Sequence, residues 1–174
     1  MKYIFYSSIV ALLCFSQACS IKLTGASIPL EMKTIDVEFF ENNAPLVVNY
    51  LSQVFTEGLK DKIRQQTKLK IVRTEEADAI LSGTITGYGI APAAVQAPVG
   101  GAAPIASLTR LTITVSVKYV VNLKDPAAKA YSYETSFSRF KDYAGDIGTQ
   151  EQALITDIDK QLTEDIFNKA FANW

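Results

Sequence analysis

The sequence predicts one α+β domain, a two-layer sandwich in which a mostly antiparallel or mixed sheet of about four or five strands carries two helices on one face. Three observations carry that reading. Residues 108–123 alternate Leu111, Ile113, Val115, Val117, Tyr119 and Val121 with Thr112, Thr114, Ser116 and Lys118, the period of two of a half-buried strand. Residues 45–66 and 146–172 instead repeat apolar side chains at helical spacing. The element order is β-α-(β)-β-β-β-α, with no internal repeat and no linker. A chain of 174 residues, 48% hydrophobic and 20% charged, is one globular domain that can bury a core without disulfides or metal.

The first eighteen residues stand apart from that domain. Lys2 supplies a positive start, the run from Tyr3 to Phe15 is apolar and uncharged, and Ser16-Gln17-Ala18 closes it with small or polar residues. This is the architecture of a signal peptide. At about 13 residues the run is too short to cross a bilayer, which takes roughly 20. Ala18-Cys19 matches the end of a lipobox, so residues 1–18 are expected to be removed and Cys19 to carry the lipid. Cys14 would leave with the signal. Several acyl chains on one residue anchor stably, whereas a single chain is marginal. Residues 19–33 form the lipidated Cys and a lead segment with breakers at Gly25 and Pro29, and residues 34–174 form the domain. The expected address is the outer membrane, lipid-anchored and facing the periplasm.

Within the domain, residues 33–40 alternate Ile35, Val37 and Phe39 against Asp36 and Glu38, a half-buried strand. Residues 41–45 form a turn, with Pro45 suited to the first helical position. The helix over 45–66 presents Val47, Leu51, Val54, Phe55, Leu59 and Ile63 on one face. Residues 67–72 make a short strand and 74–78 a polar connection. Residues 79–90 are strand-like, with Gly83, Gly87 and Gly89 inviting a bulge or a close neighbour. Residues 91–107 carry Pro92, Pro98 and Pro104, the Gly100-Gly101 pair and no charge. They read as a long loop that becomes ordered against a partner. Residues 131–140 pair with the 108–123 strand as a hairpin, and the closing helix shares Leu154, Ile155, Ile158, Leu162, Ile166, Ala170 and Phe171 on one face.

If both helices cover one face of the sheet, the other is open. By parity it carries Thr112, Thr114, Ser116, Lys118, Ser132, Glu134, Ser136 and Ser138, a hydroxyl-rich surface fit to dock on another polar wall.

Catalytic equipment is sparse. The chain has no His, which removes the commonest general base and metal ligand, and acylated Cys19 offers no thiolate. No P-loop, nucleophile elbow or dinucleotide fingerprint occurs. Asp157, Asp159, Glu164 and Asp165 on the last helix read as a solvated face, and Glu75, Glu76 and Asp78 as a solubilising connection rather than a calcium loop. A net charge of −1 excludes a nucleic-acid binder. No enzyme, cofactor or metal is expected beyond the covalent lipid.

Several words in the chain carry a family resemblance. They are Thr24-Gly25-Ala26-Ser27, Lys33-Thr34-Ile35, Phe55-Thr56-Glu57, Ala77-Asp78, Arg110-Leu111-Thr112-Ile113-Thr114-Val115, Phe137-Ser138, and the terminal run from Glu164 to Trp174. In order and spacing the chain resembles the lipopolysaccharide-assembly lipoprotein family LptE, in its Bacteroidetes-type form. The resemblance implies the same two-layer fold and a non-enzymatic part: a plug inside the large outer-membrane β-barrel LptD, helping it assemble and deliver lipopolysaccharide to the outer leaflet. Under that reading Arg110 and Lys118, on the open-face parity, and Lys141, just past the last strand, are the candidate contacts for lipopolysaccharide phosphates. The alternative is a periplasmic, outer-membrane-anchored lipoprotein with an unrelated scaffold or ligand-carrier role. A carboxylate-dependent hydrolase is a third, minor reading.

Overall fold

In a computed structural model, residues 28–96 and 105–172 are described. The elements are β1 (Thr34–Val37), β2 (Glu41–Asn42), α1 (Leu51–Gln66), β3 (Lys70–Val72), β4 (Ala79–Gln96), β5 (Ile105–Val121), α2 (Pro126–Lys129), β6 (Tyr133–Tyr143) and α3 (Glu151–Phe171). The strands form one mixed sheet in the order β3-β1-β4-β5-β6, with β2 also paired to β4. β1 runs parallel to both β3 and β4, while β4, β5 and β6 form an antiparallel meander. The α+β sandwich is therefore as expected, with two more small elements, β2 and α2, than periodicity revealed. Asp125 caps α2 by accepting from the Ala127 N–H at 2.9 Å, and Pro126 fills its first turn.

The core lies between one face of the sheet and the pair α1 and α3. Leu111, Ile113, Val115, Val117, Tyr119 and Val121 are all buried, in one cluster with Leu51, Phe55, Leu59 and Ile63 of α1 and Ile155, Ile158, Leu162 and Ile166 of α3. Two words of the family pattern meet where the sheet begins. The Asp78 carboxylate accepts from the Lys33 and Thr34 N–H groups at 2.8 and 2.9 Å, and the Thr34 hydroxyl accepts from the Asp78 N–H at 3.0 Å. Burial pushes the Asp78 carboxyl up, but the N–H donors of Lys33 and Thr34 outweigh it and hold the group below its ordinary value. This clamp aligns the starts of β1 and β4.

The structure corrects four local readings. The first strand does not alternate through Phe40. The chain leaves the ladder after Val37, and Phe40 is buried while Phe39 is 58% exposed. Phe40 packs edge-on against Phe55, with ring centroids 5.1 Å apart, and its N–H is satisfied by the Thr56 hydroxyl at 3.1 Å.

The first helix starts at Leu51, not Pro45. Asn42 organises the intervening turn instead: its carbonyl accepts from the Ala44 N–H at 3.1 Å and its amide donates to the Val48 carbonyl at 3.3 Å. Val47 and Val54, read as core, are largely exposed.

Residues 91–96 and 105–107 are strand, not loop. β4 continues through Pro92 to Gln96 and pairs with β5 from Ile105 onward, with register shifts at Pro92/Ala94 and Ala94/Val95. Proline interrupts a ladder but is tolerated at bulges and open edges, and here β4 has no other strand neighbour beyond Asn42↔Ile85. Pro98, Pro104 and the Gly100-Gly101 pair lie outside the described residues, as do the signal segment and Cys19.

The fourth correction concerns Asp159. It does not lie on a solvated face of α3 but is buried. Position 159 falls beside the Ile155–Leu162 stripe, one turn from each, where α3 meets α1.

The glycine-rich part of β4 behaves as its composition suggests. The register shifts between Ile85 and Gly87. A Cβ at Gly83 would stand 2.2 Å from the Ser116 carbonyl oxygen and 2.6 Å from the Phe40 ring. Gly83 is thus a close-approach site.

Candidate functional site

The open face of the sheet is built by cross-strand pairing. In an antiparallel ladder directly opposed residues point the same way. The pairs Arg110↔Asp142, Thr112↔Phe140, Thr114↔Ser138, Ser116↔Ser136 and Lys118↔Glu134 therefore face away from the helices. β4 adds Ser82 and Thr84, opposite Lys118 and Ser116. After the bulge it adds Gly87, Gly89 and Ala91, which bring no polar bulk. The result is a hydroxyl strip flanked by a charged pair at one end and Lys118 with Glu134 at the other. Thr114 and Ser138 share a hydrogen bond of 3.0 Å between their hydroxyls. Ser132 precedes β6 and spends its hydroxyl on the Val121 N–H at 2.9 Å.

The three basic candidates differ in setting. Arg110 is on the open face, where its guanidinium forks onto Asp142 through Nε and Nη2 at 2.7 and 2.9 Å and lies 3.7 Å from the Phe140 ring centroid. The Arg110 hydrogen bonds hold the Asp142 carboxyl below its ordinary value. Lys118 is on the same face, exposed, with no ion-pair partner among the described residues. Lys141 is not past the last strand but inside β6, and it faces Leu111 across the ladder. That puts it on the helix side, where it pairs with Asp157 of α3 at 3.0 Å. Arg139, two residues back on the same side, grips Asp165 through Nη2 at 2.7 Å. Together they tie the β6 edge to α3. Sequence reading missed these acidic partners because each lies on another element, although the parity of β6 once its register is known locates them.

The carboxylates of α3 are occupied in a way that leaves little for acid–base work. Asp157 and Asp165 hold Lys141 and Arg139, and Glu164 pairs with Lys62 of α1. Asp159 has no hydrogen-bond partner on either carboxylate oxygen, and burial pushes its carboxyl up to about 7. Its charge is felt at Tyr50, just before α1, where it adds to burial and Glu151 in raising the phenol. Near the start of α3, the Tyr88 hydroxyl donates to Glu151 at 2.7 Å, and burial and Glu151 together raise the phenol above its ordinary value. Among the described residues no group of three or more acidic, His or Cys side chains is placed to hold a metal. No helix among them is long and apolar enough to cross a membrane.

A family model described as LptE, lipopolysaccharide-assembly, matches residues 32–170. The chain belongs to the LptE family. That family comprises non-enzymatic, outer-membrane-associated lipoproteins, and its membership places the chain in lipopolysaccharide assembly. The matched stretch runs from the residue before the Asp78 clamp nearly to the end of α3. A search of curated proteins finds no match.

Solved structures agree on the LptE-type fold. The rare lipoprotein B from Shewanella oneidensis superposes with a TM-score of 0.55 at 12% identity, covering 78% of this chain and 92% of that one. The uncharacterized lipoprotein B from Nitrosomonas europaea gives 0.51 at 14% identity, covering 81% and 83%. A minor lipoprotein from Acinetobacter baumannii gives 0.50 at 15% identity, covering 82% and 94%. At such identities the likeness is one of fold.

Proposed function

We propose that this chain is a lipid-anchored outer-membrane lipoprotein that plugs an LptD-type β-barrel, helps it assemble, and takes part in passing lipopolysaccharide to the outer leaflet. The observation that carries the reading is the asymmetry of the sheet. Two helices close one face, and the other is a strip of Thr and Ser hydroxyls bounded by one internal ion pair. A plug must be rigid and polar on the surface it turns to a barrel lumen, which is itself polar. Hydroxyls suit that task, because they exchange partners without the desolvation cost of a bare charge. Cys19 carries the anchor, which holds the domain at the periplasmic mouth of the barrel. Lys118 is the open-face cation free to meet a lipopolysaccharide phosphate. Arg110 can do so only by leaving Asp142, and Lys141 only by leaving Asp157 from the opposite side of the sheet.

Detergent extraction of the tagged full chain tests the plug. A large β-barrel recovered in equal amount is the expected result. A chain that elutes alone would favour an unrelated scaffold or carrier role. Mass spectrometry of the mature N-terminus should show acylated Cys19. Lipopolysaccharide binding that survives Arg110→Ala with Lys118→Ala would remove those two residues from the contact.

A further inference from the structure

The basic residues assigned to the open face and its edge are, Lys118 apart, neutralised by acids on other elements. The opposite edge of the molecule is different. Between α1 and the outer strand β3 lies a cleft of about 310 Å³ lined by Val37, Lys60, Arg64, Ile71, Val72 and Arg73. Its three polar linings are all cations. Lys60 and Arg64 do have acidic neighbours, Glu57 at 2.9 Å and Asp61 at 2.7 Å. Both acids are one turn earlier on α1 itself, and neither lines the cleft. The Lys60 side chain is mostly covered and Arg64 is about half exposed, and short pairs at this helical spacing hold weakly and exchange readily. Arg73, exposed just past β3, has no acidic partner among the described residues. The floor is apolar: Val37 is buried, and Ile71 and Val72 are half-buried. β3 is the edge strand of the sheet, so no further strand among the described residues covers this side.

From this juxtaposition we propose that the α1–β3 cleft binds the phosphate of an anionic amphiphile, with Arg64, Arg73 and Lys60 on the phosphate and Val37, Ile71 and Val72 against the first methylenes of its chain. A phosphate offers enough oxygens to satisfy two guanidinium forks and one ammonium together, which a single carboxylate does not. A bare inorganic ion would leave the apolar floor wet, so the floor favours a ligand that carries hydrocarbon next to its charge. The proposal deepens the lipopolysaccharide-assembly reading, since the ligand class is a lipid-borne phosphate, but it stands on a different surface from the proposed barrel contact.

The test uses the full chain and three probes: hexyl phosphate, inorganic phosphate and hexanol. Binding is followed by titration calorimetry and by phosphorus line broadening. Hexyl phosphate should bind saturably and at least about tenfold more tightly than either fragment alone. Arg64→Gln with Arg73→Gln should weaken it by about tenfold or more, while Lys124→Gln, at an exposed lysine away from the cleft, should leave it unchanged. Both arginines are exposed, so the melting temperature should hold; Arg73→Gln alone serves if the double variant melts early. No saturable binding of hexyl phosphate would overturn the proposal. So would equal affinity for inorganic phosphate, which marks a plain anion site, or equal losses from Lys124→Gln, which mark general charge attraction. Barrel recovery, measured on the same variants, separates the two readings. A wild-type chain that binds hexyl phosphate but captures no barrel sinks the plug and leaves the cleft. The converse sinks the cleft and leaves the plug.

Discussion

On one side of β5 the side chains of Leu111, Ile113, Val115, Val117, Tyr119 and Val121 disappear into the core; on the other, those of Thr112, Thr114 and Ser116 are only half covered and Lys118 is exposed. The two faces obey different rules. The helix side is decided by area removed from water, is indifferent to partner identity within limits of volume, and punishes charge. The open side is decided by which residue stands opposite on β6. Arg110 is quiet because Asp142 faces it, and Thr114 is satisfied because Ser138 does. A face of the first kind holds the molecule together, and one of the second kind is available for contact.

The strongest way to break the contrast is to put a charge on the wrong side. Val115 is fully buried between β4 and β6. Val115→Asp would leave an ionised carboxylate without a partner in that layer and should cost more than about 4 kcal/mol, enough to unfold most of the protein. Urea denaturation measures it. A loss below about 1 kcal/mol would mean that the period-two reading of β5 does not describe where its side chains lie.

The chain already holds one carboxylate on the wrong side. Asp159 is buried on α3, and neither of its carboxylate oxygens has a hydrogen-bond partner. Its folded value of about 7 lies above the ordinary 3.8. Between those values the folded state holds the proton and the unfolded chain has lost it, so stability falls as pH rises from about 4 to about 7 and then levels. The full difference is on the order of 4 kcal/mol. Asp159→Asn should therefore raise stability at pH 8 and change it little at pH 4, flattening the wild-type slope. Urea midpoints across that range test it. Parallel slopes in the two proteins would mean that Asp159 stays ionised and solvated.

Gly83 sharpens the contrast through the backbone. It opposes Val117 on the helix side of β4, and an added Cβ would meet the Ser116 carbonyl oxygen, an atom of the neighbouring strand that cannot swing away. Gly83→Ala should cost roughly 1–3 kcal/mol by forcing the two strands apart. The same change at Gly89, whose Cβ would meet nothing, should be close to neutral. Thermal melts of both variants give the comparison, and equal losses would show that the clash at Gly83 does not set the cost.

The legibility of the fold followed the same division. β5 and the closing helix could be read because apolar burial leaves a period in the sequence. The continuation of β4 through Pro92 could not, since an edge position forgives a missing N–H and composition does not reveal which edges are open. Phe39 and Phe40 traded places because a single residue outside the ladder shifts the parity. The candidate cations were identifiable as cations, but their state was not. Asp142, Asp157 and Asp165 lie 32, 16 and 26 residues from Arg110, Lys141 and Arg139, and only the sheet register and the position of α3 bring them together. The cationic cleft was hidden for the same reason: Arg73 reaches Lys60 and Arg64 only once β3 takes its place at the sheet edge.

The smallest effect on folding is expected to be the most informative about the open face. Thr114 stands at the middle of the hydroxyl strip, half covered, with its hydroxyl 3.0 Å from that of Ser138. Thr114→Asp keeps the ladder and adds a charge that water can reach, so the isolated domain should change by no more than about 0.5 kcal/mol. Docking is another matter. If this strip lies against the wall of a barrel, the new carboxylate must be dehydrated beside Ser138, Ser116 and Thr112, none of which brings positive charge, and recovery of the barrel should fall sharply. Glu134 shows why the position matters. It is an acid on the same face, but its register partner is Lys118, a cation not ion-paired among the described residues that can turn to it when water is excluded, so Glu134→Gln should matter less. Melting temperature and co-purification, measured on both variants, read the two quantities separately. A Thr114→Asp protein that melts normally and still recovers barrel in equal amount would show that the hydroxyl strip faces solvent in the assembly, and the docking wall would have to be sought on the helices.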